Sequence, residues 1–254
     1  MIDIHTHILP GVDDGAKMEE DCLEMAKVAV EEGIHTIVAT PHHKNGRYEN
    51  EAASIRKQVD ILQGLMNQEN IPLTILAGQE VRINGDLLTD YEQGRILPIN
   101  ETNYILIEFP SSQIPQYTKK MLYDLQVAGL TPIIVHPERN KEILERPEKL
   151  YHFVREGALT QITASSIIGK FGKQIQKVSQ QFIEGNLVHF IASDAHNTTT
   201  RGFYLREAYQ EIKNMYGWDM HYMLMENSQL LVDGMYVNRM EPSMPKKRKF
   251  LGFF

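Results

Sequence analysis

Seven short β-rich runs alternate along this chain with longer segments of helical periodicity, and few architectures accept that order. The runs fall at residues 2–4, 35–39 (HTIVA), 73–77 (LTILA), 104–108 (YILIE), 131–135 (TPIIV), 159–163 (LTQIT) and 188–192 (VHFIA). Several are continuously apolar, as parallel strands buried on both faces are. Between them, apolar residues recur at three- and four-residue steps. Met25, Val28, Ala29 and Glu32 mark one helix, which stops at Gly33, and Ile55, Val59, Leu62 and Met66 mark another. Further helical patterns cover 119–128, 146–156, 173–184 and 201–215. In a chain of 254 residues, 42% hydrophobic and 23% charged, this alternation predicts a single α/β domain. The expected form is a distorted TIM-like (β/α)7 barrel, a seven-stranded variant of the eightfold one. Residues 1–240 would form it, and residues 241–254, with PKKRKFLGFF, a basic and aromatic tail. Such a tail suits a solvated arm or a contact with an acidic partner or membrane surface.

Barrels of this kind carry their active site at the carboxyl ends of the strands, and the polar residues of this chain collect there. The first run leads into His5 and His7, and residues two apart on a strand share a face. Asp14 follows, with Asp13 in competition, although Asp13-Asp14-Gly15 also suits a turn. The second run leads to His42 and its competitor His43 in TPHH, the third to Glu80 in GQE, and the fourth ends at Glu108. Glu108 also fits a strand-end carboxylate facing solvent. The fifth run leads to His136 and Arg139 in HPERN, the sixth to Ser165 and Ser166, and the seventh to Asp194 and His196 in SDAHN. Six of seven runs therefore bring a histidine or carboxylate to one rim. His35, His152, His189 and His221 belong to no motif and are read as structural.

Imidazoles and carboxylates without thiolate suit manganese, iron or zinc in a reactive site. Nine such ligands exceed the needs of one ion and fit two or three. Paired divalent ions clamp the attacking and leaving oxygens of a displacement and lower the pKa of bound water toward roughly 7. Arg139 and Arg201, with Arg206 as competitor to the latter, would fork onto phosphate oxygens. A phosphoester substrate follows. The net charge of −7 argues against nucleic acid. Cys22 is the single cysteine, so no internal disulfide forms, and a reducing compartment is compatible. No leader pattern precedes His5, and no run reaches the roughly 20 apolar residues of a membrane span. A cytoplasmic, non-spanning protein is expected.

Together, DIHTHILPGVDDG, ATPHH, GQE, HPERN and SDAHN resemble the PHP superfamily (polymerase and histidinol phosphatase). They are most similar to its bacterial tyrosine-phosphatase branch, from capsule and exopolysaccharide gene clusters. The resemblance runs, in order, from the first strand to about Arg201. It implies three metal ions, usually manganese, with Fe, Zn or Mg as other occupants. One ion would take His5, His7, Glu80 and Asp194, with Glu80 bridging. A second would take Glu80, Glu108 and His136, and a third Asp14, His42 and His196. Arg139 and Arg201 would hold substrate phosphate, and His42 and Asp194 would act beside them. The implied activity is hydrolysis of phosphotyrosine by metal-bound hydroxide, on a bacterial tyrosine kinase and its substrates. A cysteine-based route is closed, because Val28 stands six residues after Cys22 where that chemistry needs arginine. A small-molecule phosphatase acting on histidinol phosphate would share every ligand and is the alternative.

Overall fold

A computed structural model describes residues 1–245. Its strands are β1 (Ile2–Thr6), β2 (Thr36–Ala39), β3 (His42–His43), β4 (Thr74–Ala77), β5 (Glu80–Arg82), β6 (Tyr104–Glu108), β7 (Thr131–Val135), β8 (Leu159–Thr163) and β9 (Phe190–Ala192). The helices are α1 (Glu19–Glu31), α2 (Ala52–Gln68), α3 (Leu87–Glu92), α4 (Thr118–Val127), α5 (Lys141–Glu145), α6 (Glu148–Arg155), α7 (Ala164–Ile167), α8 (Lys173–Glu184) and α9 (Leu205–Val232). The fold is thus α/β, with every strand pair parallel.

The strands form two sheets, β1-β2-β4 and β3-β5-β6-β7-β8-β9. The second and third expected strands appear as β2 and β4, and each is followed by a short further strand, β3 or β5, that carries site residues. Pro41 has no amide to donate, so β2 and β3 are separate pieces. Gly78 separates β4 from β5, and a Cβ there would come within 2.7 Å of Val38 Cγ1. Bonding nevertheless runs across both breaks: Gly78 N donates to Ala39 O (3.0 Å), and Glu80 N to Pro41 O (3.1 Å). At the other end of the order, Thr6 bridges Ala195, and Asp194 N donates to His5 O at 2.9 Å.

The continuous apolar runs have a simple cause. Successive strand residues point to opposite faces, and here both faces are covered. Tyr104, Leu106, Ile133, Val135, Leu159, Phe190 and Ala192 pack together on one side with Ile2, Ile4 and Val38. Ile105, Ile107, Ile134, Ile162 and Ile191 face the helices in a second, larger cluster. The last helix begins four residues later than its periodicity suggests, at Leu205. The intervening turn is claimed by Asn197, whose Oδ1 accepts the amides of Thr199, Thr200 and Arg201. The helical run continues to Val232, interrupted by the non-helical Gly217. Among the described residues, no helix is long and apolar enough to cross a membrane. Residues 246–254, most of the expected tail, lie outside the described residues.

Candidate metal centre

The structure brings all eleven expected site residues to one end of the strands. His5 and His7 approach through their Nε2 atoms, 3.3 Å apart. Both Nε2 atoms lie 3.5 Å from Glu80 Oε2 and 3.3–3.5 Å from Asp194 Oδ1. His42 Nδ1 is 2.7 Å from Glu80 Oε2 and 3.8 Å from Glu108 Oε2, and His136 Nε2 is 2.8 Å from Glu80 Oε1. Asp14 Oδ1 stands 3.4 Å from both His42 Nε2 and His196 Nε2. Potential ligand atoms fall into three overlapping groups, each within 4.8 Å: His7, Asp14, His42 and His196; His5, His7 and Glu80; His42, Glu80 and Glu108. Asp14, Glu108, His136, Arg139 and Arg201 line a cleft of about 370 Å³ above them.

Two of these residues reach the site through unusual backbone. His136 and Asp194 both adopt left-handed conformations, with φ of 36° and 54°. Such non-glycine positions cost of order 1–3 kcal/mol and persist where the surroundings fix them. Each follows a buried strand, and the left-handed residue redirects the side chain after the pleat ends. Gly15 serves the first loop differently. A Cβ at Gly15 would lie 2.0 Å from the His7 carbonyl oxygen, so only glycine lets the Asp13-Asp14 turn fold back on the histidine pair.

Both arginines converge on one oxygen. Arg139 Nη1 lies 2.8 Å and Arg201 Nη2 3.0 Å from Asp194 Oδ2. Burial disfavours charge on Asp194, yet Arg139 and neighbouring histidines hold its carboxyl well below the usual range. Glu80 behaves alike, its burial outweighed by His42 and His5. Glu108 goes the other way, raised by burial and by Glu80. Burial would also lower His42, but Glu80 and Asp14 push it up to about 11. His7 is pushed up to about 9, because Asp13 overrides its burial. His136 falls to about 4 through burial and Arg139, and His196 to about 4 through burial and His7.

The donor atoms fit divalent cations. Asp14 Oδ1, His42 Nδ1, Glu80 Oε2 and His196 Nε2 are buried and have no hydrogen-bond partner. Leaving four such atoms unsatisfied would cost about 1–3 kcal/mol each. His42 Nδ1 and Glu80 Oε2 approach to 2.7 Å without the alignment of a hydrogen bond, as lone pairs aimed at a shared third atom do. The outward ring nitrogens are tied down instead. His5 Nδ1 donates to Gln161 Oε1 (2.9 Å), His7 Nδ1 to Asp13 Oδ2 (2.7 Å) and His196 Nδ1 to Asp194 O (2.9 Å). Each such bond leaves an Nε2 lone pair facing inward, as in metal-binding histidines.

Comparison with known proteins agrees with that chemistry. The family described as "Capsular polysaccharide synthesis, CpsB/CapC" matches residues 1–233. This chain belongs to the CpsB/CapC family. It is 49% identical over 254 residues to the tyrosine-protein phosphatase YwqE of Bacillus subtilis (strain 168), covering 100% of each chain. It is 32% identical over 243 residues to the tyrosine-protein phosphatase CpsB of Streptococcus agalactiae serotype III (strain NEM316), covering 93% of this chain and 100% of that one. A solved structure from work on YwqE and Streptococcus pneumoniae CpsB, "unique metal-dependent tyrosine phosphatases", superposes with a TM-score of 0.95. Its identity is 49%, over 98% of this chain and 100% of that one.

Within this CpsB/CapC chain, the remaining candidates sort by position. Arg206 lies away from the cleft, bonding Glu31 and Glu32 at the end of α1. His43 is buried, and its Nδ1 accepts the Asn50 amide. Asp13 stands behind His7 and leaves Asp14 to face the histidines. Glu108 does not face bulk solvent: it is 7% exposed and bonded to Arg82 Nε at 2.9 Å. Ser166 donates to Glu138, a residue the sequence reading passed over inside HPERN. Gln161 and Arg82 were also missed, and no local signal marks either one. Gln161 lies 156 positions from the histidine it orients.

Proposed function

We propose that this chain is a metal-dependent protein-tyrosine phosphatase. Its substrate would be phosphotyrosine on a bacterial tyrosine kinase and the proteins that kinase modifies, in control of capsule or exopolysaccharide synthesis. The observation that carries this reading is the convergence of Arg139 and Arg201 on Asp194 at the wall of a cleft floored by metal-type ligands. Two or three divalent ions are proposed, manganese first, held by His5, His7, Asp14, His42, Glu80, Glu108, His136, Asp194 and His196. When bound, they supply Lewis acidity and a nucleophilic water at neutral pH. The rest falls to the chain itself. Each guanidinium spends one nitrogen on Asp194, and Arg201 also has Nη1 3.5 Å from Asp14 Oδ2; the N–H groups left over can meet phosphate oxygens in the cleft. Asp194 draws both guanidiniums to the same side of the cleft before substrate arrives. The departing phenolate has a pKa near 10, so a dedicated general acid is dispensable.

The same proposal covers the architecture. Counted as single interrupted staves, β2 with β3 and β4 with β5 make seven in all. The Thr6–Ala195 bridge and the Asp194–His5 bond support a ring closed between β9 and β1. Residues 1–240 would be this barrel and 241–254 a basic and aromatic tail, whose first residues rest on the body through Ser243 N to Gly185 O (2.8 Å) and Asn186 Nδ2 to Glu241 O (2.9 Å). The setting proposed is the cytoplasm, which suits a free, buried Cys22.

The test is phosphate release from a phosphotyrosine peptide and from histidinol phosphate, with manganese and after chelation. Manganese-dependent release mainly from the peptide is expected. A preference for histidinol phosphate, or equal release after chelation, would overturn the proposal.

A further inference from the structure

Between α7 and α8 lies the loop Gly169-Lys170-Phe171-Gly172. Both glycines have positive φ, 79° and 93°, so the loop turns sharply on each side of its two large residues. Arg139 Cζ sits 5.6 Å from the centroid of the Phe171 ring, within cation–π range. Lys170 places its ammonium 3.9 Å from the centroid of Tyr204. Tyr204 in turn donates its hydroxyl to Thr199 O (2.9 Å), in the turn that Asn197 gathers and that ends at Arg201. One four-residue loop therefore touches Arg139 directly and the support of Arg201 through a tyrosine.

Asp194 holds Arg139 by one edge only, through Nη1. An edge contact leaves a guanidinium free to swing about that bond. The Phe171 ring, with Arg139 Cζ over it at 5.6 Å, limits that swing. Bidentate binding of phosphate needs the plane of the fork to be fixed beforehand. We infer that Phe171 is a positioning residue for Arg139: its ring sets the guanidinium plane that meets substrate phosphate, and the Lys170–Tyr204 contact keeps the loop seated. This rests on the phosphate-binding role of Arg139 proposed above. Neither Lys170 nor Phe171 is among the metal-type ligands, so the effect should be separable from metal loading.

The experiment uses the full-length, manganese-loaded protein and the variants Phe171→Ala, Phe171→Leu and Phe171→Tyr. Read out are kcat and KM on a phosphotyrosine peptide, affinity for inorganic phosphate by calorimetry, metal content and Tm. Alanine and leucine should raise KM and weaken phosphate binding on the order of three- to tenfold, with kcat, metal content and Tm little changed. Tyrosine should restore both affinities, because it keeps the π face. A leucine variant as good as wild type would overturn the inference, since packing alone would then suffice. A loss confined to kcat, in step with lost metal, would overturn it too. If wild type leaves the peptide untouched, the proposed activity fails, and the phosphate calorimetry then judges Phe171 separately.

Discussion

Asp13 Oδ2 stands 2.7 Å from His7 Nδ1 and also accepts the backbone amide of His42 at 3.1 Å. One carboxylate thus orients the histidine that follows β1 and positions the first histidine of β3. Its other oxygen accepts the Gly15 amide at 2.9 Å, which anchors the loop that carries Asp14. Substitution should therefore strike metal binding without removing any ligand. Asp13→Asn is expected to weaken divalent-ion affinity about 10- to 100-fold, the usual penalty for a lost outer partner of a metal-bound histidine. Asp13→Ala should also lower stability by about 2–4 kcal/mol, because three donors lose their acceptor. Metal titration calorimetry and denaturant unfolding check the two figures. Unchanged affinity in the asparagine variant would show that His7 needs no carboxylate behind it.

Metal loading should depend steeply on pH. Without an ion, His7 and His42 keep their protons to about 9 and about 11, because Asp13 and Glu80 outweigh the burial that would otherwise lower them. Both are therefore protonated at neutral pH, and an incoming cation must displace those protons. Affinity should rise with pH between about 6 and 9, up to tenfold per unit for each proton released. Manganese titrations at several pH values, each in two buffers of different ionisation enthalpy, count the protons directly. Binding without proton release at pH 7 would contradict the arrangement of charges described here.

Glu138 should matter more for shape than for charge. Its Oε1 accepts from Thr163 N (2.9 Å), Thr163 Oγ1 (3.0 Å) and Ser166 Oγ (2.7 Å), all buried. Those bonds pin the short 3-10 turn Pro137–Arg139 to the end of β8, and with it the left-handed His136 on one side and Arg139 on the other. Burial raises the Glu138 carboxyl above its ordinary range, so a neutral isostere is well tolerated there. Glu138→Gln is expected to cost about 1 kcal/mol and to leave turnover near wild type, because an amide oxygen still accepts. Glu138→Ala should cost about 2–4 kcal/mol and raise KM for phosphotyrosine as Arg139 loses its seat. Thermal unfolding and steady-state kinetics on the pair separate the two effects. Equal behaviour of glutamine and alanine would show that the turn holds itself.

What a reader of the sequence could see followed from periodicity and residue chemistry. The runs 104–108, 131–135 and 159–163 recur as strands with the same bounds; in the first two, burial on both faces leaves a nearly continuous apolar signature, and LTQIT is marked by its β-branched residues. His5, His7 and Glu80 stood out because a strand end dense in imidazole and carboxylate has no structural purpose. The fragments His42–His43 and Glu80–Arg82 were invisible as strands, since two or three residues carry no period. In the sequence Asp13 competes with Asp14 as a ligand and also suits a turn; it does make the turn, but its bond to His7 exists only once the loop closes. Gln161 and Glu138 face partners on other strands or in later segments, and such pairings are decided by the tertiary fold. The stretch before α9 misled for a related reason: Asn197 draws three successive amides to its side chain, and a helix competing for those amides starts only after they are released.

The structural histidine His189 supplies a stability test independent of the metal centre. It is 3% exposed, and its Nδ1 accepts the Thr160 amide at 3.1 Å. Burial and the nearby Arg239 lower its pKa from 6.5 to about 3. The unfolded chain therefore takes up a proton near 6.5 that the folded chain refuses until about 3. The stabilisation is complete above 6.5 and declines as pH falls through that window, by up to about 1.4 kcal/mol per unit for this one group. Histidines of the metal centre with raised pKa values pull in the opposite sense, so a single stability curve would mix the two. Comparing wild type with His189→Asn isolates the term, because the asparagine oxygen keeps an acceptor near Nδ1 and cannot titrate. The stability of wild type relative to the variant should fall between pH 6.5 and 4.5 and stay flat above 7. Denaturant unfolding at stepped pH, with chelator present throughout, reads that difference, and a flat difference across the range would mean that His189 takes up its proton without leaving the fold.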